Sequence, residues 1–104
     1  MSIIMTLRVK GDAAALERYA QEHPDVMTRV IERAKGHGVL AHRFYGNKDG
    51  DVMVIDEWPD FESFQTFFAE SAGDIGPMME AAGVTDEPRP EAWEKLDTRD
   101  DYGW

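Results

Sequence analysis

The chain contains no cysteine, which excludes disulfides, thiolate catalysis and cysteine-ligated zinc. It is also short of positive charge. Eleven Lys and Arg stand against 21 Asp and Glu, for a formal net charge of −10. Binding to DNA or RNA relies on clustered cations that release counterions, whereas this chain repels phosphate overall. The same repulsion acts at anionic membrane surfaces. Neither nucleic acid nor membrane is therefore an expected partner. The stretch from Met1 to Arg8 has no basic region ahead of a long apolar run and is too short to span a bilayer. A cytoplasmic location is the expectation.

Other signatures are missing too. No glycine-rich phosphate loop follows a strand-like segment, so nicotinamide, flavin and nucleoside triphosphate binding lack their usual mark. There is no nucleophile elbow of the serine hydrolase kind. Of the three histidines, His23 precedes a proline and His37 lies between glycines. No two histidines stand at i, i+4 on a helix, and none pairs with an acidic residue at ligand spacing. No metal and no cofactor are expected.

What is present describes one folded domain, residues 1–104. That length supports a single ordinary core, and 42% hydrophobic residues with eleven aromatics mark a globular chain. Acidic residues concentrate from Glu87 to Asp101, and residues 97–104 read as a solvated acidic tail.

The periodicity sets the element order. Ile3, Met5, Leu7 and Val9 alternate with Ile4, Thr6 and Arg8, predicting a strand apolar on both faces. Asp12 can cap the helix carrying Leu16 and Tyr19, and Pro24 predicts a break before Val26, Met27, Val30, Ile31 and Ala34, with Gly36 closing the run. Val39–Tyr45 and Val52–Trp58 predict two strands joined by a hairpin through Gly46–Asp51. Asp60 then caps a helix with a stripe of Phe61, Phe64, Phe67 and Phe68. Gly73 interrupts it, a short helix follows to Gly83, and Glu91–Leu96 predicts a last strand.

Two βαβ units joined by a hairpin give an α+β, ferredoxin-like βαββαβ fold. Its antiparallel sheet carries helices on one face. The other face needs covering if Ile4, Leu40 or Phe44 point there, and a homodimer stacking two sheets, a dimeric α+β barrel, would cover it. Stacked, curved sheets would also leave an internal pocket beside the dimer interface.

The run Asp56-Glu57-Trp58-Pro59-Asp60-Phe61-Glu62-Ser63-Phe64 resembles the carboxylate-x-Trp strand end and helix start of the antibiotic biosynthesis monooxygenase-like family. That family belongs to the dimeric α+β barrel superfamily, and the element order agrees up to about Leu96. The resemblance implies a cofactor-independent oxygenase acting on phenolic or polyketide-like substrates. The superfamily also includes haem-degrading enzymes, cyclases, dehydratases and proteins without a known reaction. Haem degradation is disfavoured, because the first strand has no asparagine and no histidine lies between Asp60 and Ala82. The late helical histidine of barrel-type polyketide cyclases is absent as well.

Site candidates follow from chemistry and strand parity. His42, alone among the histidines in a predicted strand, is suited to act as a general base. It could equally be a half-buried histidine satisfied by the backbone. Asp56 and Trp58 share a strand face. Either Asp56 accepts a hydrogen bond from substrate while Trp58 stacks on it, or Trp58 anchors the core and Asp56 pairs with Arg8 or Arg43. Arg8 is a candidate for stabilising an enolate, and Arg43 for gripping a substrate oxygen. Phe44, Tyr45 and Phe67 complete the proposed contacts to a small apolar or aromatic ligand. Three functions are open: a cofactor-independent monooxygenase, a non-redox cyclase or isomerase, and a non-catalytic binding module.

Overall fold

The computed structural model describes residues 1–103; Trp104, the end of the acidic tail, lies outside the described residues. Its elements are β1 (Ile3–Val9), α1 (Ala13–Glu22), α2 (Pro24–Gly36), β2 (Ala41–Gly46), β3 (Val52–Trp58), α3 (Phe61–Glu70), α4 (Ala72–Ala81) and β4 (Glu91–Glu94). The strands form one antiparallel sheet in the order β2-β3-β1-β4. This is the ferredoxin-like α+β arrangement.

Local chemistry explains the element boundaries. Asp12 Oδ1 accepts from the Ala15 N–H at 3.2 Å, and Asp60 Oδ1 from the Ser63 N–H at 2.7 Å, so each fills an orphan donor at a helix start. The Ser63 N–H also holds the Asp60 carboxyl below its ordinary range. Pro24 opens α2, where its missing N–H is not needed, and His23 joins the two helices. α2 closes where the sequence implies. Gly36 is its last helical residue, but the positive φ of +91° belongs to Gly38, where the chain turns into β2. Strand β2 starts at Ala41, two residues later than expected, although the Leu40 N–H already bonds the Glu57 carbonyl at 2.8 Å. Gly73 does not interrupt the second helical region. Ser71 is the junction there, and α4 runs through both Gly73 and Pro77.

The sheet's alternation divides the chain into two environments. Met5, Leu7 and Val9 face the helices with Val52, Val54 and Trp58, and all six are buried. Phe64, Phe67 and Met78 descend onto them from α3 and α4. At about 25 cal/mol per Å² of apolar surface, this layer is the main stabilising term. The opposite face carries Ile4, Thr6, Met53 and Ile55, half-buried, with Arg8, Arg43, Tyr45 and Trp93 exposed. Phe44 is not on that face. Its register against Val54 turns it towards the helices, beside His42.

The hairpin between β2 and β3 is tied by Asn47. Its Oδ1 accepts from the N–H groups of Asp49 and Asp51, both at 3.0 Å. Gly50, at φ +87°, supplies the turn that an L side chain resists. Closing the loop this way sets Gly46 against Val52, and with it every pair further along the ladder.

Candidate functional site

Four steps down the ladder from Gly46 and Val52, His42 faces Asp56. Both side chains point towards the helices. His42 Nδ1 lies 2.6 Å from Asp56 Oδ1, and the Trp58 indole N–H donates to Asp56 Oδ2 at 3.0 Å. Asp56 is 3% exposed, so its carboxylate is withdrawn from water and relies on these two donors. With both oxygens accepting, the imidazole proton belongs on Nδ1, which leaves Nε2 as the basic nitrogen. Asp56 thus fixes the orientation of the imidazole. Arg8 and Arg43 stand on the opposite face of the sheet.

The His42–Asp56 pair sits in the wall of a half-open cavity of about 330 Å³ between the sheet and helices α2, α3 and α4. The remaining wall is almost wholly apolar, including Leu7, Phe44, Phe67 and Met78, with the Thr28 hydroxyl as one further polar group. The cavity is on the side away from the face where two sheets would stack. Its size is at the low end of small-molecule sites. The Phe44 ring meets His42 edge-on at 5.1 Å and so limits imidazole rotation.

The other sequence candidates are distributed unevenly. Phe44 and Phe67 line the cavity with His42 and Asp56. Trp58 does not; it is 0% exposed and stands behind the wall, its ring 5.2 Å from Phe67 and 5.8 Å from Phe64. Its indole N–H fixes Asp56 from the back. Arg8, Arg43 and Tyr45 lie on the opposite face of the sheet, so none is brought to His42. Arg8 pairs there with Asp51 at 3.3 Å.

One polar feature near the cavity had no warning in the sequence. Arg29 makes two bonds to Asp74, at 2.7 and 3.1 Å, and Arg33 reaches Asp74 at 3.1 Å and the buried Ser71 hydroxyl at 3.0 Å. His37 bonds Glu70 further along. This seam ties α2 to the α3–α4 junction, fixing the roof over the sheet. The Arg29 hydrogen bond holds the Asp74 carboxyl below its ordinary range, and Asp74 raises Arg29 in turn.

Among the described residues, no three His, Asp or Glu side chains gather in a way that could hold a metal ion, and no helix is long and apolar enough to cross a membrane.

Comparison with solved structures adds the context of the fold. SnoaB from Streptomyces nogalater, a cofactor-independent oxygenase, superposes with a TM-score of 0.59 at 18% identity, covering 96% of this chain and 98% of its own. A candidate antibiotic biosynthesis monooxygenase from Deinococcus radiodurans gives 0.62 at 16% identity, with 97% and 99% covered. A dimeric ferredoxin-like protein from an uncultured marine organism gives 0.65 at 14%, with 92% and 89% covered. The fold is that of the antibiotic biosynthesis monooxygenase-like proteins. No protein-family model matches the sequence, and no curated protein does. At these identities the likeness is one of fold, and fold does not carry function with it.

Proposed function

We propose that this protein is a cofactor-independent monooxygenase acting on an aromatic, phenolic or polyketide-like molecule. The observation that carries this reading is the His42–Asp56 pair in the wall of an otherwise apolar cavity. An apolar chamber binds a flat aromatic body, and a single oriented base selects a substrate with one acidic C–H or O–H. The oxygenase relatives in fold support the choice of reaction over other uses of a base.

In this reaction Nε2 of His42 takes a proton from an activated CH₂ flanked by aromatic rings. The carbanion transfers an electron to dioxygen, and the radical pair combines to a peroxide anion. His42 returns its proton, giving a hydroperoxide. Loss of the second C–H proton with cleavage of the O–O bond yields a carbonyl and one water. One O₂ is consumed per substrate, and no external reductant is needed. The imidazolium formed at His42, itself paired with Asp56, is the counter-charge to the carbanion in the apolar cavity. Arg8 and Arg43 take no part, since they lie across the sheet.

An oxygen electrode tests this with an anthrone-type substrate and no added cofactor. The expected result is uptake of one O₂ per molecule converted, falling about 10²–10⁴-fold in His42→Ala. An unchanged rate in that variant removes His42 from the mechanism. Equal product formation under nitrogen makes the protein an isomerase or cyclase, and binding without conversion makes it a ligand carrier.

We further propose that the half-buried Ile4, Met53 and Ile55 face, with Trp93 and Tyr45 exposed beside it, pairs with a second copy in an isologous sheet-on-sheet dimer. Native mass spectrometry should give twice the 11.8 kDa chain mass. A monomer at micromolar concentration overturns it.

A further inference from the structure

Phe68, Ile75 and Met79 wall two spaces at once. On one side is the cavity holding His42. On the other is a groove of about 390 Å³ between α3, α4 and the segment from Val84 to Pro88. We propose that this groove is a second chamber of the ligand site, which receives the distal arm of a molecule whose acidic end lies against His42. The inference rests on the proposed function for the inner cavity and adds the shape and charge of the substrate.

The partition consists of side chains. Phe68 stacks on Phe64 at 5.3 Å and is held in place. Met79 is half-buried, unbranched and has three rotatable bonds, so a change of its rotamer joins the two chambers without moving a helix. Together they offer about twice the inner volume. The floor of the groove is built from the small residues Ala69, Ala72 and Gly76, which leave room for an aliphatic or cyclic arm. Its charged groups are Glu80 and Asp86, both carboxylates. The arm should therefore end in an ammonium or hydroxyl group, and a carboxylate there is repelled.

Three probes test this by calorimetry: 2-naphthol, and 2-naphthol bearing at carbon 6 a six-carbon chain ending in ammonium or in carboxylate. The ammonium probe should bind about 100-fold tighter than 2-naphthol, from burial of its methylenes less the cost of ordering them. The carboxylate probe should be at least tenfold weaker than the ammonium one. Gly76 lines the groove and not the inner cavity, and a Cβ there meets nothing within 4 Å. Gly76→Phe, which also favours the helix, should abolish the 100-fold gain and leave 2-naphthol binding unchanged. Ala72→Phe, on the same wall, should repeat the result.

If 2-naphthol binds but the long probes bind no tighter, or Gly76→Phe does not distinguish them, the second chamber is overturned while the inner site stands. If 2-naphthol does not bind at all, the reading of the inner cavity fails, and this inference with it.

Discussion

Changing Asp56 to asparagine is expected to lower turnover by roughly 10³–10⁴-fold while the protein stays folded. The amide has the shape of the carboxylate but offers one acceptor and one donor in place of two acceptors. The Trp58 indole can only donate, so it takes the amide oxygen, as it now takes Oδ2. The amide NH₂ then faces His42 Nδ1, which must turn acceptor. That moves the imidazole proton to Nε2 and removes the base from the cavity side. Steady-state kinetics with the anthrone-type substrate should show the loss in kcat, with KM within a few-fold. Nitrogen NMR of the His42 ring should report the exchanged tautomer. Turnover within threefold of the parent protein would falsify the orienting role of Asp56.

Trp58→Ala is expected to bring the protein close to global unfolding at 37 °C. The residue is 0% exposed and packs against Phe64 and Phe67. Removing a buried Trp side chain costs about 3–5 kcal/mol, and depriving the buried Asp56 of a donor adds about 1–3 kcal/mol. Against a total stability of about 5–15 kcal/mol for a domain, that leaves little margin. For a domain near 100 residues, each kcal/mol lowers Tm by about 4–8 °C, so a thermal melt should fall by at least 15 °C. Trp58→Phe keeps most of the ring and loses only the donor, and should lie near one third of that change. A Trp58→Ala loss below about 1 kcal/mol would mean that the strand end is held by something other than this ring.

Much of the fold was legible because its signals are local. Alternation bounds β1 and β3 to the residue, Pro24 divides the helices, and Asp12 and Asp60 are caps whose side chains reach N–H groups three residues on. Strand faces were harder. Alternation says that Arg8 travels with Ile4 and Thr6, and not which of the two faces meets the helices. That depends on where the Phe-rich helix lands, a long-range event. The His42–Asp56 pair had a usable signal that residue-by-residue weighing misses. Once Gly46 and Val52 close the hairpin, equal steps away from the loop place His42 opposite Asp56 and Arg43 opposite Ile55. The cavity and the Arg29–Asp74–Arg33 seam had no such signal, because both arise from how α2 settles against α4.

The last strand governs how the sheet meets its own kind. β4 is an outer strand of four residues, with Glu91 and Glu94 at its ends and Pro88 and Pro90 just ahead of it. Prolines cannot donate to a ladder, so the strand cannot lengthen backwards, and an incoming copy would set glutamate close to glutamate. Fibre growth by edge-to-edge addition is blocked on that side. The opposite edge, β2, has no proline and carries His42. Pairing there would take hold of the same strand that carries His42, so the edge most open to aggregation is also the one that holds the candidate site in register.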